Sequence, residues 1–460
     1  MNKHLKKGHN YRSLPITIVS VLSGITALLM PDWRDNLLAG YNLNPTQTNM
    51  FNVIVNACLT RDGSLQADFS DRCALVRAAG LSNGDSTGPN EINSAAVADA
   101  VRNISPEQLT SFGVTATRTT ASQLRVIGSA IEARMQNLRA SLNSPASDTG
   151  LAIYRNGNAA AGGAAGADDA LVSPFGLWGN ISYQAGDVNS TFEQRGYNFK
   201  NGGVTLGADM RLTDDLIVGT AFNYLAGDSY FDLSGGRSQT NSYTGSVYAS
   251  YYVVDNFYLN GLAAYGGTEY NITRNIQYVI PGDNVNASLS GSPGGQQYSL
   301  SFGGGYDFSF NSVNLNPYAR IDYVGLQVDG FQESESGITK GLAMRVGQQN
   351  VHSLRTAVGA RTSYAISTSF GVLLPSFRAE WIHEYMDNSR NFTASFAGDQ
   401  VVQQSFNIVT LRPDRNYAVV GAGLSGTFAH GMSAFISYDA LLGYQNVTSH
   451  KVVVGGRLEF

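Results

Sequence analysis

From Pro174 to its end the chain alternates apolar with small or polar residues at a period of two. Between Ser299 and Phe310, the residues Leu300, Phe302, Gly304, Tyr306, Phe308 and Phe310 alternate with Ser299, Ser301, Gly303, Gly305, Asp307 and Ser309. Successive side chains of a strand point to opposite faces, so one face is greasy and the other wet. The same dyad sets Val204, Leu206, Ala208, Met210 and Leu212 against Thr205, Asp209 and Arg211, and Leu315, Ala319, Ile321 and Tyr323 against Asn316, Arg320 and Asp322. A soluble sandwich alternates as well, and the connections separate the two. Tight links at Thr213–Asp215, Asp255–Asn256, Asn311–Ser312, Ser367–Ser369 and His430–Gly431 alternate with longer polar segments at Glu269–Gly295, Gln327–Gln349 and Asp387–Asn416. Short turns on one rim and long loops on the other mark a transmembrane barrel. The pattern predicts a mainly β fold of about 12 antiparallel strands, an even number that brings both barrel ends to the short-turn rim. Strands of about 10–13 residues at a ~45° tilt cover the hydrocarbon core. Aromatic residues near strand ends, Trp178, Tyr183, Tyr224, Tyr265, Trp381 and Tyr438, are expected at headgroup level.

Upstream the period changes. Residues 31–115 read as a small helical region, with Met50, Val53, Ile54 and Ala57, then Val97 and Val101, at helical spacing. Ser105, Pro106 and Glu107 read as the cap, first-turn proline and first-turn acid of a new helix. Residues 116–143 carry a longer helical pattern, Leu124, Ile127, Ile131, Met135, Leu138 and Leu142, with Arg118, Arg125, Arg134 and Arg139 on its other faces. Residues 144–173 lack large apolar groups and include the Ala- and Gly-rich run 159–167, which reads as a linker ahead of a barrel at 174–460. At the front, Lys3, Lys6, Lys7 and Arg12 precede an acid-free apolar stretch, Leu14–Met30, so residues 1–30 read as an export signal.

Composition agrees with a sheet exported to a membrane. Of 460 residues 14% are charged, with 51 Gly, 24 Tyr and 21 Phe, a profile low in charge and rich in aromatics. Past the leader, no run approaches the ~18–20 apolar residues of a spanning helix. The 30 Lys and Arg stand against 35 Asp and Glu; losing the leader's four basic groups leaves 26 against 35, a net charge of −9. Nucleic acid is therefore not an expected partner. Cys58 and Cys73, the only 2 cysteines, are expected to pair in an oxidising compartment; a metal or redox pair would want closer spacing or histidines nearby. The chain has 6 histidines, His4, His9, His352, His383, His430 and His450, so a serine in the tempting Gly84-Asp85-Ser86 run of the helical region has no imidazole base there. Turn chemistry explains 83–89 better. His383 beside Glu380 and Glu384 suggests an acid–base or metal cluster, but neighbours on a strand diverge, so His383 and Glu384 face opposite ways. No Walker loop, dinucleotide fingerprint or metal-ligand spacing appears, and neither cofactor nor enzymatic activity is expected.

Several stretches resemble the autotransporter β-domain, the translocator of type V secretion: Gly202–Asp209 (GGVTLGAD), Pro317–Phe331 (PYARIDYVGLQVDGF), Pro375–Tyr385 (PSFRAEWIHEY), Gly421–Ser425 (GAGLS) and Val452–Phe460 (VVVGGRLEF). Val97–Leu109 (VADAVRNISPEQL) and the helix that follows resemble the family's segment joining exported passenger to translocator. The resemblance implies a helix inside the lumen, where Asp209, Arg211, Arg320, Asp322, Arg361, Arg378 and Glu380 would line the wall and pair with the helix charges. It also implies an assembly signal in the last strand, where Val452, Val454, Leu458 and Phe460 share a face, read by the barrel-assembly machinery with periplasmic chaperones. Further implications are residence in the outer membrane of a Gram-negative bacterium, contact with its lipid, and export or display of the chain's own N-terminal region. One chain supplies enough strands for a monomeric barrel. The departures are the short helical region where the family carries a long passenger, and the Gly- and Ala-rich linker between helix and first strand. A passive channel and an adhesin acting through long loops are the other readings of such a barrel.

Overall fold

A computed structural model describes residues 42–59, 67–82, 94–111, 113, 120–121, 123–128, 130–131, 174–233, 235–254, 256–337, 341–399, 404–428 and 431–459. Twelve antiparallel strands close a barrel: β1 Phe175–Val188, β2 Tyr197–Arg211, β3 Leu216–Phe231, β4 Arg237–Val254, β5 Phe257–Ile280, β6 Gly294–Tyr306, β7 Val313–Val328, β8 Gln349–Tyr364, β9 Gly371–Glu384, β10 Asn416–Phe428, β11 Met432–Leu442 and β12 Val447–Glu459. Each pairs with its sequence neighbours, and β1 pairs with β12 from Gly176↔Glu459 to Val188↔Val447. That last ladder removes both free edges, as hydrocarbon requires.

Alternation sorts the side chains. Ile181, Leu206, Val247 and Phe302 face outward and are 65%, 63%, 61% and 56% exposed, an apolar exposure that makes sense only against lipid. Toward the long-loop rim the outer face carries Tyr183, Tyr243, Tyr265, Tyr298, Trp381 and Tyr438, and toward the other rim Phe175, Phe257, Phe310, Tyr364 and Phe370, the two girdles of a membrane barrel. Trp178 is a correction to the expected girdle. It shares its face with Asn180, not with Leu177, and is 6% exposed inside the barrel, where its indole N–H donates to Tyr248 Oη at 2.8 Å.

The long-loop rim is built up into a platform. Residues 269–295, read from sequence as polar loop, instead continue β5 to Ile280, turn at Gly282 (φ 85°) and return along Asp283–Gly291. Tyr270, Ile272, Ile276, Tyr278 and Ile280 keep the period of two and stay buried. Beside this hairpin, Phe331–Gln332, Met344–Val346, Asn391–Phe396 and Ser405–Val409 form a separate four-stranded sheet.

Helices α1 Pro45–Leu59, α2 Ala67–Asp71, α3 Cys73–Ser82 and α4 Ser94–Ile104 rest on that platform. Cys58 and Cys73 are disulfide-bonded, tying α1 to α3. The core is shared: Met50, Ile54, Phe69, Leu75, Val97 and Ile104 join Ile276, Leu289, Val328, Met344, Phe396 and Ile408 in one cluster. Helix α1 also covers the edge of the outer sheet, since Thr46 Oγ1 accepts the Val409 N–H at 3.0 Å and Asn49 Nδ2 reaches the Asn407 carbonyl at 3.4 Å. We call helices and platform together the cap. Phe69 is fully buried, 5.1 Å from the Phe396 ring. Phe69→Ala is expected to destabilise the cap by about 3–5 kcal/mol, read as faster proteolysis of residues 42–111 while the heat-modifiable electrophoretic mobility of the barrel is unchanged.

Candidate functional site

The lumen and its mouth are the candidate site. The segment from Ser111 to Ile131 is helical at its described residues and runs from the cap into the barrel. Leu124, Ile127, Ala130 and Ile131 pack on Trp178, Ile217, Tyr248, Tyr252, Tyr258 and Leu262, inward residues of β1 and β3–β5. Where the helix enters, a Cβ on Gly113 would lie 2.8 Å from Val351 Cγ2, so a larger residue there would force the Val351 side chain of β8 to shift. Polar contacts fix the other faces: Thr120 Oγ1 donates to Gln297 Oε1 at 2.6 Å, and Gln123 Nε2 to Asn223 Oδ1 at 2.5 Å.

One cluster of charged residues lies around Glu380, which is 2% exposed. It takes Arg320 Nη1 at 3.2 Å and the Tyr318 hydroxyl at 2.9 Å, and the helix's Arg125 stands 3.9 Å away. Arg320 Nε also donates to Asp322 at 2.9 Å, while Arg378 pairs with Asp439 at 2.5 Å. Arg361 lines a cavity of about 110 Å³ with Arg125, Arg378, Asp439 and Lys451. Asp209 belongs to a second cluster, bonded to Arg457 and, at 3.1 Å, to the Tyr248 hydroxyl. Arg211 joins neither; it ends β2 half-buried, with its backbone N–H on the Pro174 carbonyl. Sequence reasoning passed over Asp439, Lys451 and Arg457. Parity would have found the last two, since they alternate with the outward Val452, Val454 and Leu458, which are 37%, 51% and 51% exposed. Phe460 and Gly84-Asp85-Ser86 lie outside the described residues. Glu384 is buried and accepts from Ser353 and the Leu354 N–H, whereas His383 stands on the outer face with Asn416.

At the mouth, platform and helices are joined by charge as well as by apolar contact. Helix α4 ends in carbonyls without intrahelical partners. Arg195 of the β1–β2 loop donates to the Arg102 carbonyl, and Arg274 Nη1 to the Ile104 carbonyl at 2.7 Å. Arg274 grips Glu333 with two bonds, 2.9 and 2.8 Å, both side chains fully buried. Arg72 pairs with Asp283 at 2.9 Å. The expected cap at Ser105 is not made. Residues Glu107–Thr110 form a 3₁₀ turn instead, and the Ser105 hydroxyl donates to Glu107 Oε1.

The same Glu107 oxygen receives Asn44 and Gln47, each at 2.6 Å. Burial raises the Glu107 pKa above the ordinary carboxylate value, against Asn44, Arg195, Gln47 and Ser105, which favour the anion. Burial likewise lowers the pKa of Arg195, opposed by Glu107. A carboxyl whose folded pKa is raised stabilises below its unfolded value, and that stability is lost as pH rises through the folded one. Protease resistance of residues 42–111 is expected to fall as pH climbs from the ordinary carboxylate range through the raised value, and Glu107→Gln should flatten this dependence.

The family model described as the autotransporter beta-domain matches residues 177–439. The chain belongs to this family. Among curated relatives, the "Extracellular serine protease" of Serratia marcescens is 25% identical over 340 residues, 72% of this chain and 30% of that protein. "Outer membrane protein B" of Rickettsia prowazekii (strain Madrid E) is 24% identical over 360 residues, 73% of this chain and 21% of that protein. The chain thus spans less than a third of the length of either relative. In fold, it matches the translocator domain of the autotransporter NalP from Neisseria meningitidis with a TM-score of 0.52 and 16% identity, covering 76% of this chain and 100% of that one. The autotransporter β-domain is an outer-membrane translocator of an N-terminal passenger, and this chain is such a barrel in the Gram-negative outer membrane.

Proposed function

We propose that this autotransporter barrel exports its own N-terminal helical region and keeps it docked outside as a lid, with the following helix left in the lumen as a plug. The observation that carries this reading is continuity. The described residues between 45 and 104 share one core with the long-loop platform, and those described between 111 and 131, all helical, lead from that cap into the barrel. Long loops of such barrels face outward, so a region docked on them has crossed the membrane.

The barrel works without cofactor or catalysis in this reading. In its support, the lumen carboxylates Asp209, Asp322, Glu380 and Asp439 are all held by arginines, which suits a wall that seats a helix. The outward row Val452, Val454, Leu458 and Phe460 is the surface we assign to the assembly machinery, reached with periplasmic chaperones. One chain closes its own sheet, which favours a monomer.

Two measurements test the proposal. An epitope tag within residues 83–93 should be lost to protease added to intact cells, together with a tag after Leu233 in the β3–β4 loop; survival of the first alone would leave the helical region inside and overturn the reading. In planar bilayers the full chain should stay closed, and so should a chain lacking residues 42–110, because Arg125 and Gln123 still hold the helix. Deleting residues 42–131 should give steady conductance. A full chain that already conducts would make it a passive channel.

A further inference from the structure

Below the Glu380 cluster the lumen wall carries a second grouping of charge, and the strand register sets it on one rung. Arg361 of β8 pairs with Arg378 of β9, Arg378 with Gly421 of β10, Gly421 with Asp439 of β11, and Asp439 with Lys451 of β12. The rung faces inward, because Phe377, Tyr438 and Val452, the chain neighbours of Arg378, Asp439 and Lys451, stand exposed on the outer face. One step toward the short-turn rim, Ser363, Ser376, Gly423 and Ser437 make the next inward rung. Neither glycine has a side chain to fill the middle of this wall.

The helix closes the hollow from the other side. Arg125 joins Arg361, Arg378, Asp439 and Lys451, with the three serines, around the cavity of about 110 Å³. A single water needs only ~10–15 Å³, so the space takes a larger guest. Small residues and hydroxyls floor it, and four cations surround it.

The charges do not balance. Asp439 is the one acid among the described residues that line the cavity, and it is bonded to Arg378 at 2.5 Å. Glu380, two residues beyond Arg378, takes Arg320 at 3.2 Å and the Tyr318 hydroxyl at 2.9 Å, with Arg125 at 3.9 Å. In the sequence of residues 111–143 the one acid is Glu132, two helical turns on from Arg125. Even with Asp322, Glu380, Asp439 and Glu132 all set against Arg125, Arg320, Arg361, Arg378 and Lys451, one positive charge is left over. Arg361 and Lys451 each engage another group as well, so the site depends on this surplus and not on an idle cation.

A surplus of buried charge is costly until an opposite charge meets it. A tetrahedral oxyanion meets it well: guanidinium forks bind such an anion through paired bonds, and ammonium and hydroxyl groups donate to its remaining oxygens. We propose that this niche binds a tetrahedral oxyanion, inorganic phosphate or sulfate, as a bridge from Arg125 of the helix to Arg361, Arg378 and Lys451 of the wall. The inference needs the helix seated in the lumen and is independent of the direction of export, which the tag experiment decides by itself.

The full chain is folded in detergent micelles, checked by heat-modifiable mobility, and titrated with radiolabelled inorganic phosphate by equilibrium dialysis. One phosphate should bind per barrel. Sulfate should displace it, and chloride at equal ionic strength should not. R361Q/K451Q and R125Q should each weaken binding by about tenfold or more, as loss of charge-assisted hydrogen bonds implies. D439N, which removes the competing carboxylate, should tighten it, and E132Q should bind at least as well as the unsubstituted chain. If R361Q/K451Q does not fold, D439N decides, because a purely structural rung gives no gain. No binding to the full chain, unchanged binding in folded R361Q/K451Q, no gain in folded D439N, or equal displacement by chloride overturns the site. Unchanged binding in R125Q puts the anion on the wall alone and overturns the bridge. Binding that appears only in E132Q assigns the niche to the chain's own carboxylate and overturns the proposal.

Discussion

The structure depends on one constraint: in hydrocarbon, every backbone N–H and C=O must find its partner within the protein. A sheet meets it only by closing, and the ladder from Gly176↔Glu459 to Val188↔Val447 makes the closure between the first strand and the last. Alternation then follows without further choice. Each strand has one face in lipid and one in the lumen, so the outward row of β12, Val452, Val454 and Leu458, requires that Lys451 and Arg457 point inward. A one-residue slip would exchange those faces along a whole strand.

The inward face is polar for a reason distinct from solubility. A wall of arginines and carboxylates inside a narrow barrel must be neutralised locally, because an unpaired buried charge is costly. Arg320 bridges Asp322 and Glu380, Arg378 meets Asp439, and Asp209 takes Arg457. Among the described residues of the helix only Arg125 stands beside a wall carboxylate, and the rest of its seat is made by amides, hydroxyls and the apolar patch around Trp178 and Tyr248.

Much of this was legible in the sequence, and the gaps have physical causes. Strand number, the short-turn rim and the outward row of β12 follow from period-two alternation and the spacing of turns. Trp178 was misplaced because aromatic character was read without parity; its neighbours Leu177 and Asn180 already fix which face it occupies. The hairpin at 269–295 was read as loop because its polar residues were weighed above the alternation of Tyr270, Ile272, Ile276, Tyr278 and Ile280. Those side chains are buried against helices more than a hundred and fifty positions earlier in the chain, for example by the Arg274 bond to the Ile104 carbonyl, and no local pattern encodes that contact. Ion-pair partners are hidden for the same reason. Glu380 could be placed on the inner face from parity, but that it meets Arg320 depends on which strands lie side by side and in what register.

The barrel is closed twice, and the two closures differ in kind. In the lumen the helix is held by an apolar patch, Leu124, Ile127, Ala130 and Ile131 against Trp178 and Tyr248, and by hydrogen bonds, each worth about 0.5–1.5 kcal/mol net because water offers the same partners. The polar part of that wall lets a polypeptide slide, since hydrogen bonds broken at one step are replaced by water or by the next residue. At the mouth the closure is a buried core, in which Phe51, Phe69, Ile104, Ile276, Leu289 and Phe396 have no exposure, together with the Arg274–Glu333 pair buried inside it. Water cannot substitute for those contacts, and re-entry of residues 45–104 into the lumen would expose the apolar surfaces of both the helices and the platform. In the export proposed above, a largely polar wall leads to a docking surface that resists reversal, and the apolar burial at the mouth gives the assembly a direction without any bound energy source.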